Sequence, residues 1–419
     1  MARKTDSPIV YVVHPVCCGL DVHKDAISAC LVMADYNGVE RSEIREFGTV
    51  TEDLLGLRNW LLEHDCPIVA MESTGVYWWP VHNVLEHYIE VILVNARHIK
   101  NVPGRKTDIA DSKWLAGLLR HGLLKGSFIP PQYVRDWRDL TRLRKKIQEN
   151  INDYKRRIHK VFESANIKLG SMISDLFGVT GNQLMDLLVS HDKELTLEEI
   201  EKCLQGRLKS TPIEIFRSIQ GSFRDHHRYL LKKLRQIIGV LEEERGALTQ
   251  RLQELMEPCN PLMKRLKAVP GISDVSAAII LSEIGPTLDK FSSSAALASW
   301  SGLCPGNNES AGKRKSGRNP VRQHRLRTVM VEVAWGAIRK KGSYYKDKFH
   351  RLKARRGPKK ALVAIAHRLL KAIYHIIKTG EEFRDLGENY LLLRHQTHRL
   401  RYLKQQAQVL GYELTPIVV

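Results

Sequence analysis

The sequence has no apolar run of the about 20 residues that a bilayer-spanning helix requires. Its first residues, MARKTDSPIV, lack the hydrophobic core and cleavage site of a secretory signal. No tandem repeat is visible, and the seven cysteines include no C-x-x-C pair, which disfavours a structural zinc site or a disulfide framework. These absences predict a soluble intracellular protein with no membrane partner. Cys17 and Cys18 lie in an apolar run and are predicted core residues.

Positive charge, in contrast, is abundant and unevenly placed. Lys and Arg number 66 against 46 Asp and Glu, which gives a formal net charge of +20. The first hundred residues carry a net charge of −6, and the remaining 319 carry +26. An acidic front is suited to metal cations, and a basic remainder favours a polyanion such as DNA or RNA.

The front of the chain has the pattern of an α/β domain over residues 1–130. Two short apolar runs within 15–34 predict a hairpin of buried strands. The following periodicities predict strands at 43–50, 67–72 and 90–94 and helices at 52–63, 77–88 and 108–121. A strand hairpin followed by strand–helix alternation predicts a mixed central sheet.

Behind it, residues 131–260 have the pattern of long helices. Apolar residues recur every three or four positions from Leu140 to Val161 and again from Leu231 to Leu255. This spacing predicts a coiled-coil region, either an antiparallel hairpin or a helix-exchanged oligomer, with two core helices of one bundle as the alternative. A small helical insertion is predicted at about 165–225. Prolines mark a boundary before a basic, all-α domain at 261–419, which a Gly/Asn/Ser-rich stretch at 301–319 interrupts.

Four carboxylates in the front domain form a candidate metal site. Asp21 and Glu72 end predicted strands, and Asp108 and Asp111 share one face at the start of a predicted helix. Each alone has an ordinary explanation as a turn former, a solvated acid or a helix cap. Together they can meet at one sheet edge and hold two divalent ions about 4 Å apart for phosphoryl transfer. Oxygen donors favour Mg²⁺, with Mn²⁺ as the alternative.

Three motifs around these acids carry a family resemblance. GLDVHK, MESTGVYWWP and GRKTDIADSKWLAGLLRHG occur in order within 16–125 and resemble the RuvC-like domain of DEDD-type insertion-sequence transposases, described as bridge-RNA-guided recombinases. The resemblance implies a ribonuclease-H-like fold whose catalytic metal ligands are Asp21, Glu72, Asp108 and Asp111. It also implies a bacterial, nucleoid-associated protein of the cytoplasm.

The rear domain begins with a predicted helical hairpin. In LKAVPGISDVSAAIILSEIG, a Pro-Gly-Ile turn separates two apolar helical stretches, which looks like a helix–hairpin–helix. Such a turn at Gly271 exposes backbone N–H groups to a nucleic-acid phosphate. An ordinary pair of antiparallel helices is the equally weighted alternative.

The segment after this hairpin contains the candidate nucleophile. Its ordering resembles the C-terminal transposase domain of the same family, in which a Gly-Leu-x-Pro element precedes a catalytic serine and a small, basic segment. This match implies Ser310 as the nucleophile, with Ser301 and Ser316 as weaker candidates. The family's serine is followed by two glycines, whereas Ala311 and Gly312 stand here. No local His–Asp pair is evident, so metal held by the carboxylates is expected to activate the hydroxyl.

Basic clusters follow the serine and are predicted to bind nucleic-acid phosphates. One cluster comprises Lys313, Arg314, Lys315, Arg318, Arg322, Arg325 and Arg327. A second occupies 351–360 and includes Arg355 and Arg356, with Tyr344 and Tyr345 available to stack on bases.

These features together predict a DNA recombinase that joins strands through a phosphoserine intermediate. The resemblance further implies a structured guide RNA that pairs with donor and target double-stranded DNA, and a homodimer that assembles into a tetramer. Two rivals remain: a metal-dependent Holliday-junction-type endonuclease in which Ser310 is a bystander, and a non-catalytic nucleic-acid-binding protein.

Overall fold

The computed structural model describes residues 11–34, 40–73, 75–95, 111–190, 195–206, 208–306, 308–310, 313–316 and 324–415. The chain divides into two compact units, Met1–Ile129 and Pro130–Val419.

A five-stranded sheet forms the centre of the first unit. Its strands are β1 (Cys17–Val22), β2 (Ile27–Ala34), β3 (Glu40–Phe47), β4 (Ile68–Glu72) and β5 (Glu90–Val94), in the spatial order β3-β2-β1-β4-β5. Strand β2 is antiparallel to both β1 and β3, whereas β4 is parallel to both β1 and β5. The predicted mixed sheet and its opening hairpin are therefore confirmed.

Helices cover both faces of this sheet because its central strands are apolar on both sides. Helices α1 (Thr51–Glu63) and α2 (Trp78–Leu85) bury Leu57, Trp60 and Leu85 against one face. Helix α3 (Asp111–Arg120) buries Ala116 and Leu119 against the other. Cys17 and Cys18 are fully buried, one on each face, as predicted.

Element boundaries differ from the predictions where the sequence signal is weak. Strand β3 begins and ends three residues before the predicted 43–50, because its ERSEIREF sequence is almost wholly exposed and has little apolar alternation. The chain then turns at 48–50 into α1. Helix α2 ends at Leu85, before the predicted 88, in a turn over 86–88. Of the predicted helix 108–121, the first three positions lie outside the described residues.

Two long helices, α4 (Gln132–Ser164) and α9 (Asp225–Leu255), pair in the second unit. Arg144 Nε donates to Thr249 Oγ1 at 2.8 Å, and Arg245 Nη1 donates to Gln148 Oε1 at 2.6 Å. Lys155 comes later on α4 than Gln148, and it contacts Glu242, which comes earlier on α9 than Arg245. Because numbers rise on one helix as they fall on the other, the pair is antiparallel within one chain, and coiled-coil geometry itself remains a prediction.

A small helical lobe occupies the chain between the two long helices. Its helices are α5 (Leu169–Met172), α6 (Val179–Ser190), α7 (Leu197–Cys203) and α8 (Pro212–Ser218). Thr196 and Thr211 begin α7 and α8 with capping boxes, which satisfy the first backbone N–H groups of these short helices. The lobe shares one apolar core with Ile158 of α4 and Leu231 of α9.

The remaining chain is mainly helical. Its helices are α10 (Asn260–Lys267), α11 (Asp274–Ile284), α12 (Ser294–Trp300), α13 (Arg325–Ala337), α14 (Tyr344–Arg356), α15 (Pro358–Thr379) and α16 (Tyr390–Val409). The prediction of an all-α domain is wrong at one place, where β6 (Asn308–Ser310) and β7 (Lys313–Ser316) form an antiparallel hairpin. Among the described residues, no helix is both long enough and apolar enough to cross a bilayer.

Candidate functional site

Asp21 and Glu72 lie at the same edge of the first unit's sheet. The parallel pairing of β1 with β4 reaches Leu20 and Met71, and Asp21 and Glu72 are the next residue on each strand. Leu20 and Met71 are buried on the α1–α2 face, so alternation places the two carboxylates on the face that α3 covers. The Asp21 side chain is 27% exposed, which leaves it accessible to a cation.

Helix α3 crosses that face with its N-terminus towards Asp21. A Cβ atom on Gly19 would lie 2.1 Å from the Ser112 carbonyl oxygen, so α3 approaches β1 more closely than any other residue type allows. Ser112 Oγ lies 3.2 Å from Ser28 Oγ, and Ser28 is the β2 residue paired with Asp21. Asp111 precedes Ser112 and opens α3. The fold therefore brings Asp21, Glu72 and Asp111 to one end of the sheet.

Asp108, the fourth predicted ligand, lies outside the described residues. Within the described part of the chain, no group of three or more His, Cys, Asp or Glu side chains is already arranged around a metal position. The three described acids nevertheless fit a hard cation in their chemistry, since all supply carboxylate oxygens. His23 was not among the predicted site residues, yet its Nε2 lies 3.2 Å from Asp21 Oδ2. The signal was its position two residues after Asp21, on the same side of the chain.

Burial favours the protonated form of the cysteines in this unit. Burial raises the pKa of Cys17 to about 12 and that of Cys66 to about 11, and it raises the pKa of Cys18 as well. Because the thiolate is the metal ligand, this raised pKa makes the thiols weaker candidates for a metal site than the carboxylates.

The candidate nucleophile Ser310 is the last residue of β6. It pairs with Lys313, the first residue of β7, so Ala311 and Gly312 connect the two strands. The side chains of β6 and β7 lie outside the described residues, including those of Ser316, Arg314 and Lys315. Ser301 is fully buried and its Oγ donates to the Ala298 carbonyl, which makes it unsuitable as a nucleophile.

Gly271 has a packing role in addition to its predicted phosphate contact. Its φ is +85°, and a Cβ there would lie 2.2 Å from the Val333 carbonyl oxygen and 2.7 Å from Ala337 N. The turn before α11 is therefore pressed against α13, where Gly336 also lacks a side chain. This crossing requires glycine whether or not a phosphate binds.

The predicted basic residues occupy different environments. Arg318 and Arg322 lie outside the described residues, whereas Arg355 and Arg356 are exposed at the end of α14. Arg325, the first residue of α13, is half-buried, and burial lowers its pKa.

A basic face involves α14, α15 and α16. Burial lowers the pKa of Lys348, and Arg368, Arg355, Arg394 and Arg351 lower it further. Such a concentration of like charge in neighbouring helices suits a polyanionic ligand. The predicted stacking by Tyr344 and Tyr345 is wrong. Both rings are buried, where they contact each other, Tyr390 and Phe383.

Comparison with protein families places both candidate regions in one group. Residues 18–167 match a DEDD-type profile of IS110 elements described as "Transposase", and residues 263–350 match "Transposase IS116/IS110/IS902 family". The first range contains the four carboxylates and the second contains Ser310, and together they span more than half of the chain. The chain belongs to the IS110 family of transposases.

Individual relatives of this IS110-family chain are distant. It is 28% identical over 131 residues to "Putative transposase y4pF/y4sB" of Sinorhizobium fredii (strain NBRC 101917 / NGR234). That alignment covers 29% of this chain and spans one third, 33%, of the relative's length.

Two solved structures of RuvC from Thermus thermophilus also align, one free and one in complex with a Holliday junction substrate. Each is 13% identical and covers 27% of this chain and 99% of the RuvC chain, with TM-scores of 0.21 and 0.20. Similarity at these TM-scores carries no weight for the fold or the function.

Proposed function

We propose that this IS110-family chain is a DNA recombinase that exchanges strands through a covalent serine–DNA intermediate. The observation that carries the proposal is the position of Asp21, Glu72 and Asp111 at one end of the mixed sheet, in a chain whose second family-matched region contains Ser310. An RuvC-like catalytic domain is part of this proposal, as is the division into a metal-binding domain (1–130), a coiled-coil region (131–260) and a transposase domain (261–419).

The reaction requires two phosphoryl transfers. Ser310 Oγ attacks a DNA phosphorus and loses its proton to solvent, and the bond to the leaving strand's oxygen breaks as that oxygen gains a proton. The hydroxyl of the new strand then attacks the phosphoserine ester, and Ser310 Oγ leaves and regains a proton. No bond is hydrolysed overall. Divalent cations held by Asp21, Glu72, Asp108 and Asp111 would supply charge stabilisation and lower the pKa of the attacking hydroxyl.

Several residues of the chain position the groups of this site. Ser28 and Ser112 fix the start of α3, and with it Asp111, beside β1. His23 lies within hydrogen-bonding distance of Asp21 and holds its carboxylate in one orientation. Lys313, Arg314, Lys315, Arg318, Arg322, Arg355 and Arg356 are proposed phosphate contacts, and Gly271 adds backbone N–H groups.

The test is to trap a covalent protein–DNA adduct with Mg²⁺ and a substrate made from the element's own ends. We expect the parent and Ser316→Ala, a control in the same hairpin, to form an adduct that Ser310→Ala does not form. Asp21→Asn should abolish the adduct, whereas Asp25→Asn, at an exposed acid just after β1, should not. Cleavage without an adduct, unaffected by Ser310→Ala, would instead establish a junction endonuclease. Unchanged recombination by Asp21→Asn would favour a non-catalytic role for the acidic site.

The proposal includes a structured guide RNA and a tetramer assembled from two homodimers. Both follow from the family resemblance, and the basic charge of the chain is compatible with an RNA ligand. Sequencing of the RNA that copurifies with the protein tests the first. Mass measurement of the complex with DNA tests the second, and a monomer or a lone dimer in active complexes would refute it.

A further inference from the structure

A buried carboxylate in the second unit lies near guanidinium groups from two other helices. Glu283, near the end of α11, has a side chain only 4% exposed. Arg142 Nη2 on α4 lies 3.4 Å from Glu283 Oε1, and Arg138 Nε lies 3.6 Å from Glu283 Oε2. Glu283 also stabilises the charge of Arg325 at the start of α13. We call these four residues the Glu283 cluster.

The Glu283 cluster contains three cationic side chains and one anionic side chain in a partly buried environment. Burial lowers the pKa of Arg138 to about 10, although Glu283 acts in the opposite direction. Arg142 further lowers the pKa of Arg325, while Glu283 and Glu149 raise it. Glu149 is half exposed and lies 3.9 Å from Lys145 and from Lys146, so it does not restore neutrality. The cluster thus retains an excess of positive charge.

The three arginines of the cluster differ in how fully their donors are hydrogen-bonded. Arg138 is committed to structure, since its Nε donates to the Ser282 carbonyl at 2.8 Å and its Nη2 donates to the Glu283 carbonyl at 2.6 Å. Arg325 makes only a long 3.5 Å bond to the Thr141 carbonyl, and its buried Nε has no partner among the described residues. The Arg142 side chain is 44% exposed. Arg142 and Arg325 therefore have the capacity to bind a further anion.

We propose that Arg142, held by its pairing with Glu283, and Arg325, held by the Thr141 carbonyl, bind a phosphodiester of the DNA substrate. Guanidinium groups match phosphate oxygens in geometry, and two fixed in advance bind with less loss of side-chain entropy. DNA is favoured because α11 and α13, which carry Glu283 and Arg325, precede and follow the Ser310 hairpin in the chain. The choice of DNA rests on the proposed function, whereas the anion site rests on the cluster alone.

Glu283 acts as a positioning residue, which predicts an effect opposite to simple electrostatics. Removal of a negative charge from a DNA-binding surface should by charge alone strengthen DNA binding. If Glu283 fixes Arg142 in position, its replacement by neutral Gln should weaken binding instead. The sign of the change therefore separates positioning from a bulk charge effect.

The experiment measures equilibrium binding of the full chain to a fluorescent DNA duplex in EDTA, between about 50 and 200 mM salt. Arg142→Gln and Arg325→Gln should each reduce the slope of log affinity against log salt by about 0.9 and lower affinity at the upper salt concentration about threefold. Glu283→Gln should also weaken binding. The control is Arg251→Gln, at an exposed arginine of α9 that pairs with Glu254, and it should leave the slope unchanged.

Each outcome is decisive. Unchanged slopes for Arg142→Gln and Arg325→Gln, or tighter binding by Glu283→Gln, would overturn the site. A change seen only with an RNA hairpin would reject DNA as the ligand. If Glu283→Gln does not fold, Arg142→Gln still decides, because Arg142 is half-exposed and its replacement leaves the buried Arg138–Glu283 pair in place. Because DNA binding is measured in EDTA, it does not depend on the chemistry. A protein that binds as expected in EDTA but forms no Ser310 adduct with Mg²⁺ would refute the proposed function and not this site.

Discussion

Replacement of Gly19 by alanine should destabilise the first unit, because α3 lies against the backbone of β1. The added Cβ would lie 2.1 Å from the Ser112 carbonyl oxygen, 2.5 Å from Ala116 N and 3.0 Å from Leu115 Cβ. Two of these contacts are with helix backbone, which cannot rotate away. Restoring van der Waals separations of about 3.5 Å requires α3 to move by on the order of 1 Å.

The expected loss combines two effects. Overpacking of this kind costs about 1–3 kcal/mol of the free energy of unfolding. Movement of α3 also strains the Ser28–Ser112 hydrogen bond, worth about 1 kcal/mol. Gly117 in the middle of α3 is the matched control, since a Cβ there meets nothing within 4 Å. Gly117→Ala should raise the free energy of unfolding by about 0.5–1 kcal/mol, because alanine is the better helix former.

The assay is urea unfolding of the full chain, with hydrogen exchange to localise the change. We expect Gly19→Ala to lower the first unit's midpoint and to accelerate amide exchange in α3, and Gly117→Ala to slow it. Adduct formation should fall in Gly19→Ala because Asp111 moves with α3. A Gly19→Ala protein as stable as the parent would refute the described contact of α3 with β1 and remove the support for Asp111 lying near Asp21.

Three further results are expected. A positive φ alone costs an alanine about 1–2 kcal/mol, and Gly271→Ala should destabilise the second unit by more than that amount in thermal unfolding. Gly357→Ala, with φ +78° but open space around the new Cβ, should lose only that amount. Equal losses would contradict the contact of Gly271 with α13. Because the pKa of Cys17 is raised in the folded chain, the stability that its protonated thiol contributes is complete below pH 9. That stability is lost as pH rises from 9 towards 12. Urea midpoints in Cys17→Ala should therefore decline less over that interval, and an identical decline would count against burial as the cause. Arg355→Gln should lower the salt slope of DNA binding by about 0.9 with little change in Tm, since this arginine is exposed; an unaltered slope would remove it from the interface.

Sequence reasoning was most effective where one local pattern determines both an element and its position. The apolar runs around Asp21 and before Glu72 have the length and composition of buried strands, and parallel pairing then brings their ends together. The exposed ERSEIREF strand gave a weaker signal, so its boundaries were displaced. The helical lobe was predicted, but not that it completes the core of both long helices, because that depends on contacts across tens of residues.

Other features depend on tertiary contacts that no local pattern encodes. Tyr344 and Tyr345 stand in a strongly basic stretch and resemble exposed stacking residues, yet Tyr390 and Phe383 cover them. Glu283 lies one residue before the end of an apolar helix and has the local pattern of a solvated acid. Its partners Arg138 and Arg142 lie more than 140 positions earlier, and only the fold brings them together.

The length of α4 also determines where the chain enters the helical lobe. At 1.5 Å per residue, the 33 residues of α4 extend about 50 Å, so the chain enters the helical lobe about 50 Å from Gln132 at the beginning of α4. At 3.4 Å per base pair this is the length of about 15 base pairs of duplex. From Arg142 of the Glu283 cluster to Ser164, the last residue of α4, the rise is about 33 Å, so a ligand held at that cluster would lie about 10 base pairs, or one helical turn of DNA, from the point where the chain enters the lobe.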